Sequence, residues 1–172
     1  MYLVFSHGKE SGPWGFKIRR LAPVAESFGF DVSSIDYQDL ADPDDRVSRL
    51  LGALPGDPGQ VVLAGSSMGG YVSLVASETA AVASLFLLAP AVYVPGFGQQ
   101  SYASRCEHIE IVHGWSDDVI PAQNAIDYAR KADATLHLIS GDHPLNESID
   151  EVEALFRGFL QRARARINGI EG

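Results

Sequence analysis

Six short, mostly aliphatic runs recur along the chain: YLVF (2–5), FDVSSIDY (30–37), QVVLAGS (60–66), VASLFLLAP (82–90), IEIVHG (109–114) and TLHLIS (135–140). Most are separated by an amphipathic stretch long enough for a helix. GFKIRRLAPVAESFG (15–29) sets Phe16, Leu21, Val24 and Phe28 at helical spacing and stops at Gly29. DPDDRVSRLLGAL (42–54) opens on acids, and MGGYVSLVASET (68–79) and PAQNAIDYARKA (121–132) follow strands at once. SIDEVEALFRGFLQRARA (148–165) aligns Ile149, Val152, Leu155, Phe156 and Phe159 on one face. Strand and helix in alternation imply parallel strands joined by right-handed crossovers. Strands with little polar alternation suit a sheet covered on both faces. The expected fold is therefore α/β, a three-layer sandwich around a six-stranded parallel sheet.

At 172 residues the chain is expected to form a single domain, 1–172. Its longest apolar run is far short of a membrane span, and no basic stretch precedes the first one, so neither a transmembrane helix nor a signal peptide is expected. The single cysteine, Cys106, excludes an intramolecular disulfide, which agrees with a cytoplasmic setting. A net charge of −9 repels polyanions, so no nucleic-acid partner is expected. Arg157, Arg162, Arg164 and Arg166 form the one basic cluster, read as the solvated face and last turns of a helix.

The segment LAGSSMGGY (63–71) carries the chemistry. Gly65-Ser66-Ser67-Met68-Gly69 fits G-x-S-x-G between an aliphatic strand and a helix. A turn of that kind holds its central residue in a strained conformation with the side chain exposed. Only Ser67 has a glycine two residues away on each side. A glycine-rich helix start capped by Ser66 would leave Gly65 without a purpose.

A serine hydroxyl needs a base. Of five histidines, His143 lies directly after the last strand, in SGDHPLN, where parallel strands gather their C-terminal ends. His137 sits within a strand, His108 ahead of one, and His7 and His113 each precede a glycine at a strand end. His7 reads as a loop organiser. An acid should hold the imidazole's tautomer. HGWSDDVIP (113–121) offers Asp117 and Asp118, either of which could instead cap the next helix; Asp142 adjoins His143 but points elsewhere in extended backbone. The order Ser67, Asp117, His143 places each residue after a strand.

With these residues in view, the chain resembles the α/β-hydrolase superfamily, most closely its small members without a cap. G-x-S-x-G after a strand, His113-Gly114 with Asp117 ahead of VIP, and a late Asp142-His143 before the last helix carry the likeness, which spans FSHGKESG to the final helix. It implies Ser67 as nucleophile, His143 as base and Asp117 as the acid. It also implies an oxyanion hole from the backbone N–H groups of Met68 and Lys9. The usual first two strands are missing, and the insertion at 91–108 is too short for a cap domain. With sheet order 2-1-3-4-5-6, the loops SHGKESG and SSMGG flank the switch point, and two N–H groups aimed there could stabilise an oxyanion.

Trp14, Tyr93 and Trp115 are expected substrate contacts, within a set that includes Met68, Val94, Phe97 and Tyr102; Lys9 and Glu10 could charge the mouth. The resulting expectation is a Ser-His-Asp esterase or thioesterase acting on a small-molecule acyl substrate, with no metal or organic cofactor. Two other functions compete: a binding or scaffold protein whose triad is vestigial, and a phosphate binder using GSSMGG. The second lacks the P-loop lysine, since Tyr71 follows Gly70.

Overall fold

In the computed structural model residues 1–169 are described; positions 170–172 of the expected 1–172 domain lie outside them. The order is β1 (Tyr2–Ser6), α1 (Phe16–Ser27), β2 (Asp31–Ile35), α2 (Pro43–Ala53), β3 (Val61–Ser66), α3 (Met68–Thr79), β4 (Ser84–Leu88), β5 (Ile109–Gly114), α4 (Ala122–Ala132), β6 (Thr135–Ile139) and α5 (Ile149–Ile167). The strands form one sheet in the order β2-β1-β3-β4-β5-β6, and every pairing is parallel. The fold is thus the expected three-layer α/β sandwich.

Period-two alternation divides the strand side chains between two cores. Val4, Leu63, Leu85, Leu87 and Ile111 pack with α2, α3 and α4. Leu3, Phe5, Val62, Ala64, Phe86, Leu88 and Val112 pack with α1 and α5. Both faces are covered, so the strands carry apolar residues in both registers. The chain order reverses between β1 and β3, so α1 covers one face and α2 the other. Loops from β1 and β3 therefore diverge and leave a crevice at their C-terminal ends.

Local sequence fixes several boundaries. Asp42 accepts the Asp44 N–H (2.8 Å), and Pro43 opens α2 with its missing N–H where none is needed. Helix α5 has Asp150 and Glu151 in its first turn and Arg164 and Arg166 in its last, both favourable to its dipole. Phe16, expected on the buried face of α1, is 56% exposed. It is the first residue of α1 and borders a cavity rather than the core. Segment 89–108 contains no helix or strand and seals one core with Ala91, Val92 and Cys106.

One charge cluster escapes the sequence reading. Glu110, near the start of β5 and almost fully buried, accepts from His108 Nε2 (3.1 Å), His137 Nε2 (3.2 Å) and both Arg162 Nε (2.9 Å) and Nη2 (3.0 Å). Burial alone would raise its pKa; the bonds from His108, Arg162 and His137 outweigh burial and bring it to about 2. Arg162 is thus only partly a solvated residue, while Arg157 pairs with Glu153 along the exposed face (2.8 Å). Among the described residues no helix is long and apolar enough to cross a membrane.

Candidate active site

Ser67 stands between β3 and α3 with φ 54° and ψ −120°. This is a conformation that non-glycine residues rarely adopt, worth about 1–3 kcal/mol of strain. The surroundings hold it there: its N–H donates to Leu88 O (2.9 Å), and its carbonyl accepts from Gly70 N–H (2.9 Å) and Ala91 N–H (3.0 Å). Its side chain makes no capping bond to α3, so the hydroxyl remains directed outward. The flanking glycines are required by backbone approach. A Cβ on Gly65 would overlap the carbonyl of Gly69, and one on Gly69 would overlap the carbonyl of Ser6.

Gly69→Ala is therefore expected to push α3 off β1. The expected cost is about 3 kcal/mol, a fall in Tm of about 6–12 °C at this chain length, read by thermal unfolding. An unchanged Tm would contradict the tight packing of α3 on the β1 end.

His143 lies in the loop after β6, and Asp117 in the turn after β5. His143 Nδ1–H donates to Asp117 Oδ2 (2.8 Å). Its Nε2 is then left to accept from the Ser67 hydroxyl (2.9 Å). The Asp117 side chain is fully buried and that of His143 is 16% exposed. Asp117 is fixed from its other oxygen: Oδ1 accepts the N–H groups of Val119 (2.9 Å) and Ile120 (2.7 Å). Asp118 does neither job, and Asp142 instead accepts the Leu145 N–H within the histidine loop (3.1 Å).

His113 entered the sequence reading as a landmark of the HGWSD segment, without a role of its own. Its Nε2 lies 2.9 Å from Ile120 O and 3.1 Å from Asp117 Oδ2, two acceptors, so Nε2 carries the proton. It braces the same turn that aims Asp117. The signal was the four-residue spacing within HGWSD.

The β1 loop closes the site from the other side. Tyr37 N–H donates to His7 Nε2 (3.0 Å), so the proton sits on Nδ1 and is given to Gly8 O (2.7 Å). Burial lowers the His7 pKa and favours this neutral form. Gly8 lies against the elbow: a Cβ there would sit 3.5 Å from Ser66 O and from Ser67 Cβ. Among the described residues, the Met68 and Lys9 amides donate to no backbone carbonyl.

These loops rim a cavity of about 570 Å³, reached from Ser67, His143, Met68 and Lys9. That volume falls in the range of about 300–1,000 Å³ for sites that enclose small ligands. Phe16, Val94, Phe97 and Val119 line its mouth, together with Glu10. The three expected contacts are not among the lining residues. Trp14 and Trp115 are 45% and 61% exposed. Tyr93 turns its ring to Tyr102 (centroids 5.5 Å) and Lys131 (5.0 Å). Tyr102 packs on Tyr71 and Tyr128, also off the cavity. Lys17, missed by the sequence reading, lines the cavity and ties α1 to the histidine loop through Pro144 O (2.7 Å). Burial pushes its ammonium down to about 8 against the opposing pull of Asp142 and Asp117. Among the described residues no cluster of three or more His, Cys, Asp or Glu side chains is arranged to hold a metal ion.

No family model matches the sequence, and no curated protein does. Among solved structures, a Xanthomonas campestris protein assigned to the hydrolases of the α/β superfamily is 33% identical, covering 94% of this chain and 97% of its own, with a TM-score of 0.83. Two more distant structures share the fold. Est1E from Butyrivibrio proteoclasticus is 16% identical, with 95% and 88% of the two chains covered and a TM-score of 0.77. A Xanthomonas campestris α/β serine hydrolase without lid is 17% identical, with 93% and 81% covered and a TM-score of 0.67. The 33% identity, sustained over nearly the whole of both chains, together with the shared sheet, places this chain in the α/β hydrolase superfamily.

Proposed function

We propose that the protein is a serine hydrolase that cleaves a carboxylic ester or thioester of a small molecule through an acyl-enzyme on Ser67. The observation that carries this reading is the unbroken line of hydrogen bonds from Ser67 through His143 to the buried Asp117. In it, His143 holds its proton on Nδ1 and presents a lone pair to the serine. Ser67 Oγ attacks the substrate carbonyl while Nε2 takes its proton. The imidazolium that forms faces the Asp117 carboxylate, which holds it in orientation. Charge builds on the carbonyl oxygen, and the amides of Met68 and Lys9, which donate to no backbone carbonyl among the described residues, are the donors we assign to it. Each such donor contributes about 3–4 kcal/mol in comparable sites.

Collapse of the tetrahedral species expels the leaving group, protonated from Nε2. Water then enters, gives its proton to the same nitrogen and releases the acid, restoring Ser67. These side chains and water complete the cycle without a cofactor. A p-nitrophenyl ester, a matched thioester and a matched anilide, each assayed with wild type, test the reading. Turnover of ester and thioester is expected; a folded protein that cleaves none of the three would contradict it.

A further inference from the structure

The cavity has a second part that the chemistry above does not use. Below the elbow it runs between α1 and the sheet, lined by Phe5 of β1, Ala64 of β3, Leu88 of β4, and Ile18 and Leu21 of α1. All five are apolar and at most 6% exposed. They belong to the α1–α5 core, yet no α5 residue lines the cavity. The slot is therefore a space left inside one core layer.

The residue that leaves this space is identifiable from the register. Ala64 pairs with Phe5 on one side and Phe86 on the other, all three on the face that α1 and α5 cover. A methyl side chain between two phenylalanines leaves a gap in the row. Beyond Ala64 the layer is filled: Phe86, which does not line the cavity, packs on Phe156 (centroids 4.9 Å) and on Phe159 (5.0 Å). Ala64 lies three residues before Ser67, so at about 3.3 Å per strand residue the floor is about 10 Å below the nucleophile.

We infer that this slot receives the straight, apolar acyl chain of the substrate and that Ala64 limits its length. The inference rests on the serine-hydrolase reading above. The acyl group is the part of an ester that stays on the enzyme after the first step. The leaving group must depart, and water must take its place beside His143. A blind, apolar slot suits the part that is retained. It carries no charged group among its five walls, so it selects methylenes over polar or branched acyl groups. The substrate class is thus medium-chain acyl esters or thioesters rather than acetyl esters.

The test compares kcat/KM for p-nitrophenyl acetate, butyrate, hexanoate and octanoate in wild type, Ala64→Leu and Leu21→Ala. Wild type is expected to gain up to about fourfold for each added methylene that is buried, until the slot is filled. In Ala64→Leu the octanoate-to-acetate ratio should fall at least tenfold. In Leu21→Ala, which deepens the slot, the optimum should move to a longer chain; this holds the inference open to refutation if Ala64→Leu does not fold. A parallel calorimetric titration with decanoate reads the slot without catalysis, and Ala64→Leu should bind at least tenfold more weakly than wild type. Acyl-length ratios and decanoate affinity unchanged in folded variants would overturn the slot while leaving the hydrolase reading intact. Decanoate binding that responds to Ala64, in a protein that cleaves no ester, would uphold the slot and refute the hydrolase reading.

Discussion

Ser67→Ala is expected to lower kcat for p-nitrophenyl ester hydrolysis by about 10⁵–10⁶-fold while leaving the circular dichroism spectrum and Tm close to those of wild type. The size of the loss follows from how the three side chains act together. Without the hydroxyl, the imidazole has no proton to take and no covalent intermediate can form. On the proposed mechanism, what remains is the rate given by binding and by the amides of Met68 and Lys9 acting on a water attack. The fold should tolerate the change because, among the described residues, the Ser67 hydroxyl bonds only to His143 and caps no helix. Alanine is no more strained than serine at φ 54°, so the elbow keeps its shape. A variant within tenfold of wild type would remove Ser67 from the reaction.

Asp117→Asn should cost about 10⁴-fold in kcat, also without unfolding the chain. The reason lies in which atoms surround the carboxylate. Oδ1 takes two backbone N–H donors, those of Val119 and Ile120, so an asparagine keeps those bonds only by placing its oxygen there. Its NH₂ then faces His143 Nδ1, which must become an acceptor. The proton moves to Nε2, and the ring can no longer accept from Ser67. The same NH₂ would also confront the Nε2–H of His113. The opposite orientation of the amide sacrifices two backbone bonds. Either way the base of the proposed mechanism is lost. Steady-state turnover on a p-nitrophenyl ester measures the effect, and a loss below tenfold would show that Asp117 does not set the tautomer of His143.

The parts of this molecule that were legible in the sequence are those encoded by period and punctuation. All six strands were apparent as short, mostly aliphatic runs; the four inner ones are buried on both faces, while the edge strands β2 and β6 are only partly covered and carry more polar residues. Helix α3 was bounded at Met68 and Thr79 by the glycine-serine turn before it and the loss of apolar spacing after it. The three residues of the hydrogen-bonded line could be proposed because each follows a strand, and parallel strands deliver their ends to one edge. The choice between Asp117 and Asp118 was less visible in the residues. It is settled in the structure by backbone amides two and three positions downstream, which point at one carboxylate and not its neighbour.

The substrate side was much less legible. Aromatic residues on edge loops were expected to form the pocket, but a loop residue can face outward as easily as inward, as Trp14 and Trp115 do. Of the expected set, Met68, Val94, Phe97, Lys9 and Glu10 do line the cavity, but its inner part is built from core positions whose small or aliphatic side chains fail to fill the layer under α1. That failure depends on which residues are paired across three strands, which no single run displays. The Glu110 cluster was hidden for the same reason. His108, Glu110, His137 and Arg162 are distant or unremarkable in the chain and meet only when β5, β6 and α5 pack.

The central claim is that the Ser67 hydroxyl is made nucleophilic by its neighbours. It is tested most directly by exposing the folded chain to a fluorophosphonate and locating the adduct by peptide mass spectrometry. The account predicts one adduct per chain, on Ser67. A folded chain that remains unlabelled, or that carries the adduct on another residue, would contradict it.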